Sequence, residues 1–172
     1  MEANILLGIQ NNRHDFLTPV LQTISHIGDY GLIWLILAGF FLLSGGYRLL
    51  GVKILAALTL VLLLNNMLLK NLVDRPRPYE TISDLIMLGA VPSGASFPSG
   101  HTAGAFAACW LLYKYLPKKY GVPLVILGIL MGFSRMYVGV HYLSDVLGGA
   151  ICGCLCGWLA DGLVRRLLRL KA

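Results

Sequence analysis

The sequence predicts an all-α membrane protein: a polytopic bundle of about five to six transmembrane helices with an amphipathic segment at its N-terminus. Apolar side chains make up 57% of the 172 residues, and charged side chains make up only 13%. The mean hydropathy is +0.73, whereas a water-soluble domain is roughly one-quarter charged. Several separate apolar runs also approach the length of a membrane span. Lipid is therefore the expected solvent.

Residues 1–28 form the predicted N-terminal amphipathic segment. Apolar patches at 5–7 and 16–27 are separated by a polar stretch, and neither patch reaches the roughly 20 residues that span a bilayer. Two short helices lying in the membrane interface are the preferred interpretation. A single irregular first span is the alternative. No cleavable signal peptide is expected, because no basic region precedes a long apolar core.

Residues 29–172 form the predicted membrane-embedded domain, which contains five apolar runs. These runs cover residues 31–44, 54–69, 102–116, 122–140 and 143–164. Lys53 and Lys70 bracket the second run and are expected to reach opposite membrane interfaces. The fifth run carries a stripe of small residues at four-residue spacing, Gly149, Gly153 and Gly157. Such a stripe favours close contact with another helix.

A long connection, residues 71–98, follows the second run. Its length is typical of functional loops rather than of simple connections. Pro76 and Pro78 argue against a regular helix around them. Arg75, an isolated arginine near the membrane interface, is interpreted as a lipid anchor.

The distribution of basic residues predicts the orientation in the membrane. With five spans, one side receives nine cations: Arg48, Lys53, Lys114, Lys118, Lys119, Arg165, Arg166, Arg169 and Lys171. By the positive-inside rule this side, with the C-terminus, is cytoplasmic. Residues 71–101 and 134–141 then face the extracytoplasmic side. Membrane topology thus explains the net charge of +6, and nucleic acid is not an expected partner.

The four cysteines all lie inside apolar runs, at positions 109, 152, 154 and 156. No histidine or carboxylate accompanies them at the spacing of a metal site, so we interpret them as small packing residues. Neither a disulfide framework nor a bound metal is expected.

Three short segments predict an anion-binding site on the outward side. The first is the turn Phe97–Thr102, where Gly100 allows close approach of the backbone to a ligand and a helix begins with free N–H groups. The second carries Lys70 and Arg77, and the third carries Arg135. Three cations at one place repel each other unless an anion holds them, and a phosphate group does this well.

Two histidines in these segments have different neighbours. His141 and Asp145 are four residues apart and therefore share a helix face. A carboxylate that accepts from one ring nitrogen leaves the other nitrogen free to attack. His101 lies at the start of a different helix. This arrangement suits a division of work between a nucleophile and a general acid.

These residues resemble the three-part signature of the type 2 phosphatidic acid phosphatase family. The matching parts are Lys70-x6-Arg77-Pro78, Pro98-Ser99-Gly100-His101 and Ser134-Arg135-x5-His141-x3-Asp145. The family includes undecaprenyl-diphosphate and phosphatidylglycerophosphate phosphatases, and it shares its site with vanadium-dependent haloperoxidases. The resemblance covers residues 28–165. The chain departs from it at the N-terminus, where membrane members commonly have a sixth span.

The resemblance implies a metal-independent lipid phosphatase without a cofactor. His141 would attack phosphorus and form a phosphohistidine, Asp145 would orient it, and His101 would act as acid and then as base. The phosphate-binding residues implied are Lys70, Arg77, Ser99, Gly100 and Arg135. An outward site favours undecaprenyl diphosphate as the substrate, with phosphatidylglycerophosphate or phosphatidate as the alternative. A vanadate-dependent haloperoxidase and a non-catalytic lipid-phosphate binder are more remote alternatives.

Overall fold

The structure, a computed structural model, describes residues 1–169 and consists of helices joined by turns and one long loop. The α-helices are α1 (Glu2–Asn11), α2 (Leu17–Ile27), α3 (Leu32–Leu43), α4 (Arg48–Leu60), α5 (Lys70–Val73), α6 (Pro78–Thr81), α7 (Gly100–Tyr115), α8 (Lys118–Tyr137) and α9 (Leu143–Arg169). A 3₁₀ turn, Asp29–Gly31, joins α2 to α3, and a π-helix, Val61–Leu69, joins α4 to α5. The all-helical prediction is confirmed. Lys171, one of the predicted cytoplasmic cations, lies outside the described residues.

Three helical stretches are long and apolar enough to cross a membrane within residues 1–169: Arg48–Thr81, Lys118–Tyr137 and Leu143–Leu168. A fourth span is possible if α2 and the stretch Asp29–Leu43, bent by 52°, act together. Five to six spans were predicted, so this count is lower. The predicted third run forms α7, which has 16 residues and is about 24 Å long, short of the roughly 30 Å hydrocarbon core.

The bend between α2 and α3 crosses the predicted boundary at residue 28. Tyr30 and Gly31 have φ angles of 54° and 72°, and this left-handed backbone redirects the chain. The bent pair has the form of the irregular first span considered above. The interfacial position of residues 1–28 stays a prediction, but α1 and α2 both pack against α8.

Helix α7 occupies the centre of the bundle, between α4, α8 and α9. Its packing face is built from small residues, and Ala103, Ala105, Ala107 and Ala108 are fully buried. A Cβ atom added to Gly149 would lie 2.6 Å from the Ser99 carbonyl oxygen. One added to Gly157 would lie 2.8 Å from the Ala107 carbonyl oxygen. The predicted packing role of the glycine stripe in α9 is therefore confirmed.

The outer faces of the long helices are apolar and exposed, as expected for contact with lipid acyl chains. Large exposed side chains on these faces include Leu35, Phe40, Leu62, Ile126, Ile129, Ile151, Leu155 and Trp158. In the most apolar 18-residue window of each span, only 28%, 39% and 44% of the residues are buried within the protein. The bundle thus buries small residues inside and presents large apolar ones to the membrane.

A buried ionic cluster ties α4, α7 and α9 together around Asp161, which has no exposed surface. Its carboxylate lies 2.9 Å from Lys53 Nζ, 2.7 Å from Lys114 Nζ and 3.0 Å from Arg165 Nη2. The prediction that Lys53 reaches the membrane interface is wrong, because Asp161 offers it a partner inside the protein. The cluster also places three of the nine predicted cytoplasmic cations at one end of the bundle.

Replacing Asp161 with asparagine is expected to destabilise the protein by about 3 kcal/mol, because Lys53 would remain buried without a carboxylate. A lower thermal unfolding midpoint in detergent would measure this loss. Asp84→Asn, at an exposed loop position, is the control and should unfold like the wild type. Equal midpoints for the two variants would contradict a stabilising role for the cluster.

The connection at 71–98 is partly helical. Pro78 is the first residue of α6, and Glu80 Oε2 accepts a 2.8 Å hydrogen bond from the Arg77 N–H. The prediction of no regular helix here is wrong for this turn, since proline is tolerated at the first helical position. The remainder, residues 82–99, forms an irregular loop that returns the chain to α7.

Candidate active site

A cavity of about 860 Å³ brings together most of the predicted site residues. The predicted residues that line it are Lys70, Arg77, Gly100, His101, Arg135 and His141. The two others, Asp145 and Ser99, lie behind this wall and have no exposed surface. The three sequence segments therefore converge at one end of the bundle. Both imidazole rings belong to the same cavity, as the prediction required.

His141 lies in the turn between α8 and α9, where Gly139 adopts a φ of 84°. Its ring is 2% exposed, and Nδ1 lies 3.5 Å from Asp145 Oδ2 and 3.4 Å from Ser96 Oγ. With Nδ1 turned toward these oxygens, Nε2 is on the opposite edge of the ring. Burial, aided by the nearby charges of Arg135 and Arg77, lowers the pKa of His141. The imidazole is therefore neutral at pH 7.

Asp145 is held by more groups than the sequence motifs contain. Oδ2 accepts hydrogen bonds from Ser96 Oγ at 2.5 Å and from the Tyr142 N–H at 2.8 Å. Oδ1 accepts one from Arg75 Nη1 at 2.7 Å. Ser96 lies in the loop before α7 and is fully buried. Neither Ser96 nor Arg75 was predicted as a site residue. The only signal for them in the sequence was indirect: the Asp145 carboxylate has two oxygens, and both need hydrogen-bond donors.

The interpretation of Arg75 as a lipid anchor is wrong. Its guanidinium contacts Asp145, Ser144 and Glu2 instead, and it lies 3.9 Å above the Tyr142 ring. In the local sequence Arg75-Pro76-Arg77-Pro78 the two arginines point in different directions, Arg75 to Asp145 and Arg77 to the carbonyls of the 93–95 loop. Arg75 therefore supports the carboxylate behind the cavity, while Arg77 lines the cavity itself.

Arg77 is buried and bonded mainly to backbone carbonyls. Nε donates to Gly94 O at 2.8 Å, and Nη1 donates to Val140 O at 3.1 Å. Nη2 donates to Ser93 O at 3.1 Å and to Ala95 O at 3.4 Å. Four of the five N–H groups of the guanidinium are therefore occupied. Arg77 contributes charge to the cavity and joins the 93–95 loop to His141's turn, but this conformation leaves no pair of free donors for a bidentate contact.

Arg135, near the end of α8, is bonded differently. Nη1 donates to the hydroxyl of Ser25 in α2, but Nε is buried and has no hydrogen-bond partner among the residues that the structure describes. Leaving a buried donor unpaired costs about 1–3 kcal/mol. An anion in the cavity would satisfy this donor, so Arg135 has an open binding direction.

The start of α7 forms the floor of the cavity. Ser99 is the N-cap residue, and its hydroxyl accepts hydrogen bonds from the Thr102 N–H and hydroxyl. A Cβ on Gly100 would lie 2.9 Å from Asn66 Oδ1, so a side chain at this position would displace the Asn66 amide. Asn65, in the π-helix, donates to Pro98 O at 3.4 Å. The π-helix thus directs two amides at the turn, as π-bulges at functional sites often do.

His101 follows Gly100 and pairs with Asp29, which was not predicted as a site residue. Its Nε2 lies 2.9 Å from Asp29 Oδ1, in the turn between α2 and α3. Burial and the charge of Arg135 lower the pKa of His101 to about 4, while the Asp29 carboxylate acts in the opposite direction. A lone acidic residue at the first position of the predicted membrane-embedded domain carries no sequence signal for this contact. The charge state of His101 thus depends on which anion lies beside it.

The cavity is suited to holding an anion with phosphate geometry. Lys70, Arg77 and Arg135 supply positive charge, the N-terminal end of α7 lines the same cavity at Gly100 and His101, and a neutral imidazole borders it. Apolar side chains of α3, α4 and the π-helix extend the wall of the cavity, namely Leu35, Leu55, Leu58 and Leu62. A ligand with a charged head and an apolar tail matches this lining.

Comparison of the sequence with known protein families identifies one family that matches this chain. The family model described as the PAP2 superfamily matches residues 50–168, most of the chain. Undecaprenyl-diphosphatase BcrC of Bacillus subtilis is 43% identical over 96 residues, which cover 55% of this chain and 48% of that protein. The chain therefore aligns with about half the length of this relative.

Two solved structures are similar over nearly the whole chain. LpxE of Aquifex aeolicus superposes with a TM-score of 0.82 and 28% identity, covering 92% of this chain and 93% of the other. The transmembrane PAP2-type phosphatidylglycerolphosphate phosphatase of Bacillus subtilis superposes with a TM-score of 0.76 and 29% identity, covering 96% and 85%. The helical bundle described above is thus a transmembrane PAP2 fold.

Proposed function

The chain belongs to the PAP2 superfamily of membrane lipid phosphatases, and from this membership we propose that it hydrolyses undecaprenyl diphosphate at the outer face of the membrane. The observation that carries the proposal is the cavity that joins two histidines, three cations and an apolar wall. Inorganic phosphate is released, and a lipid monophosphate remains. No metal or cofactor takes part.

In the first step, His141 Nε2 attacks the terminal phosphorus in line with the bond to the leaving oxygen. The P–O bond breaks as the P–N bond forms, and His101 gives its proton to the leaving oxygen. Asp145 holds His141 in the required tautomer and stabilises the ring as it gains positive charge. A bound phosphate group beside His101 favours the protonated ring, which this step requires.

In the second step, His101, now neutral, removes a proton from a water molecule that attacks the phosphohistidine. The P–N bond breaks, and the free histidine and inorganic phosphate result. In both steps Lys70, Arg77 and Arg135 stabilise the negative charge on the equatorial oxygens of the phosphoryl group. The Arg135 Nε–H is a buried donor without another partner in the described part of the chain, and the Ser99–Gly100 turn supplies the helix N-terminus.

The lipid character of the substrate is supported by the apolar wall that α3 and α4 add to the cavity. A prenyl or acyl chain can lie along this wall without leaving an apolar environment, whereas a soluble phosphate ester has no group to place there. The extracytoplasmic position of the site rests on the positive-inside rule. Undecaprenyl diphosphate is favoured because BcrC, the relative described above, carries that activity in its name.

Phosphatidylglycerophosphate is the second candidate substrate. The Bacillus subtilis phosphatase that shares this fold over 96% of the chain is named for it. Its headgroup presents a terminal phosphate to the same cationic cavity, so chemistry at phosphorus does not discriminate the two lipids. The loop at 82–99 and the apolar faces of α3 and α4 are the surfaces that would distinguish them.

Phosphate release by the purified full-length chain in detergent tests the proposal. The substrates are undecaprenyl diphosphate, phosphatidylglycerophosphate and phosphatidate, each in the presence of EDTA. We expect release from the diphosphate to be fastest, to persist in EDTA and to be blocked by vanadate, which mimics the transition state. Faster release from phosphatidylglycerophosphate would favour the second candidate. Loss of activity in EDTA would contradict metal-independent catalysis.

The Asp29 carboxylate should shift the pH dependence of kcat/KM. His101 must be protonated to act as acid, so activity falls as pH rises above its pKa. Asp29→Asn removes a charge that favours protonation and therefore lowers that pKa further. A shift of one pKa unit reduces kcat/KM at pH 7 about tenfold. Rates between pH 4.5 and 8 measure the shift, with Asp15→Asn as the control, and an unmoved basic limb would contradict the coupling.

A further inference from the structure

We infer that Glu2 and Arg75 form a positioning pair that holds the Asp145 carboxylate in the orientation His141 needs. The inference rests on the proposed function, because it assigns these residues a role in the same reaction. Neither side chain touches the cavity that binds the phosphate. Their role is to act through Asp145, and the first helix of the chain thereby becomes part of the catalytic apparatus.

Arg75 fixes the rotation of the Asp145 carboxylate. Nη1 donates to Asp145 Oδ1 at 2.7 Å and to Ser144 Oγ at 2.6 Å. The guanidinium also lies over the Tyr142 ring, with its central carbon 3.9 Å from the ring centre. With Oδ1 held from behind, Oδ2 is left to accept from Ser96, from the Tyr142 N–H and from His141. A free carboxylate would rotate and lose this division of its two oxygens.

Glu2 in turn fixes Arg75 and the start of α9. Oε2 lies 2.8 Å from Arg75 Nη2, and Oε1 accepts a 2.8 Å hydrogen bond from the Ser144 N–H. Ser144 is in the first turn of α9, where unpaired N–H groups need acceptors. Glu2 therefore acts as a capping carboxylate supplied by a different helix. It also gives Arg75 a partner, so the guanidinium does not turn toward an anionic substrate.

This pair explains why α1 packs beside the catalytic turn. Arg13, at the other end of the same segment, donates to Tyr137 O at 3.1 Å and 2.7 Å and to Ile86 O at 2.7 Å. The N-terminal segment is thus bonded to both sides of His141's turn. The amphipathic character that predicted an interfacial helix also provides the polar contacts to the site.

Four variants of the full-length chain test the pair: Glu2→Gln, Arg75→Met, Arg75→Lys and the double variant Glu2→Gln/Arg75→Met. We expect Arg75→Met to lower kcat about 100-fold and Glu2→Gln about tenfold, with KM within about twofold of the wild type. The double variant should resemble Arg75→Met alone, because the two residues act through one contact. Arg75→Lys should recover part of the loss. Asn4→Ala and Arg48→Met, both exposed, are the matched controls.

The pH profile separates positioning from a merely structural role. Removing the Arg75 charge favours protonation of His141, so the acidic limb of kcat/KM should move to higher pH in Arg75→Met. The other groups that face the His141–Asp145 pair remain in place: Lys70, Arg77, Ser96 and Arg135. Arg48→Met should leave the limb where it is. An unmoved limb in Arg75→Met would overturn the inference.

A second measurement does not depend on activity. The chain has four histidines, so selective ¹⁵N-histidine labelling gives a spectrum with few ring signals. We expect the His141 ring nitrogens to shift in Arg75→Met and Glu2→Gln, while those of His14 stay unchanged. If the wild type releases no phosphate from any lipid and these shifts occur, the proposed function fails but the pair stands. If the wild type is active and the variants keep its kcat and its His141 signals, the pair is overturned.

Discussion

Replacing His141 with alanine is expected to reduce phosphate release by at least about three orders of magnitude, the largest effect of any single change in this chain. The His141 ring lines the cavity and is 2% exposed, and the buried Asp145 carboxylate lies 3.5 Å behind its Nδ1. The loss should appear in kcat, because the cations that bind the phosphate group remain. Initial rates with undecaprenyl diphosphate measure it.

The covalent intermediate gives this prediction a direct test. Wild-type protein quenched during turnover of ³²P-labelled substrate should carry label that is stable in alkali and labile in acid, as expected of a phosphohistidine. His141→Ala should carry none, whereas His14→Ala, at an exposed position, should be labelled like the wild type. Labelled His141→Ala protein would identify another residue as the nucleophile. A His141→Gln variant, closer in volume, excludes a packing defect as the cause.

Arg135→Lys should cause the second-largest loss, about 100-fold in kcat/KM. The Nε–H of Arg135 is buried without a partner in the described residues, and lysine has no donor at that position along its side chain. Its charge is retained, so a loss reports the missing directed hydrogen bond and not the missing charge. Vanadate should bind more weakly to this variant, which can be measured by inhibition. Undiminished vanadate affinity would contradict a direct contact with the anion.

Arg77→Lys is the informative comparison for Arg135→Lys. Because Arg77 donates to four backbone carbonyls, lysine would leave several of them unpaired in the 93–95 loop and near His141. This variant should therefore lose thermal stability together with activity, whereas Arg135→Lys should keep the wild-type unfolding midpoint. Equal stability of both variants would mean that the carbonyl contacts of Arg77 contribute little.

The sequence was sufficient to predict the class of fold and which charged and imidazole side chains meet at one cavity. Charged and imidazole side chains are expensive in a membrane protein, so their grouping at the ends of apolar runs identified the site residues before any contact was known. Apolar composition identified lipid as the solvent. The spacing of the glycines in α9 identified a packing face, because only a missing Cβ lets two backbones approach so closely.

The number of spans was harder to predict, because hydropathy measures how apolar a run is and not where its helix begins and ends. The run at 54–69 lies within a helical stretch that begins at Arg48, and the run at 102–116 forms a helix of 16 residues in the middle of the bundle. Lys53 illustrates the same limit. A lysine beside an apolar run normally reaches the interface, but here it meets the buried carboxylate of Asp161.

The amino-acid sequence by itself determined which residues are candidates for phosphoryl transfer, since reactivity and charge belong to side-chain types and their local spacing. Only the tertiary structure decided which groups support these residues. Arg75 binds Asp145 and is itself bound by Glu2, Asp29 pairs with His101, and backbone carbonyls accept from Arg77. These contacts join residues up to 73 positions apart. They depend on how the helices cross, and that geometry follows from the packing of many small residues and not from any short motif.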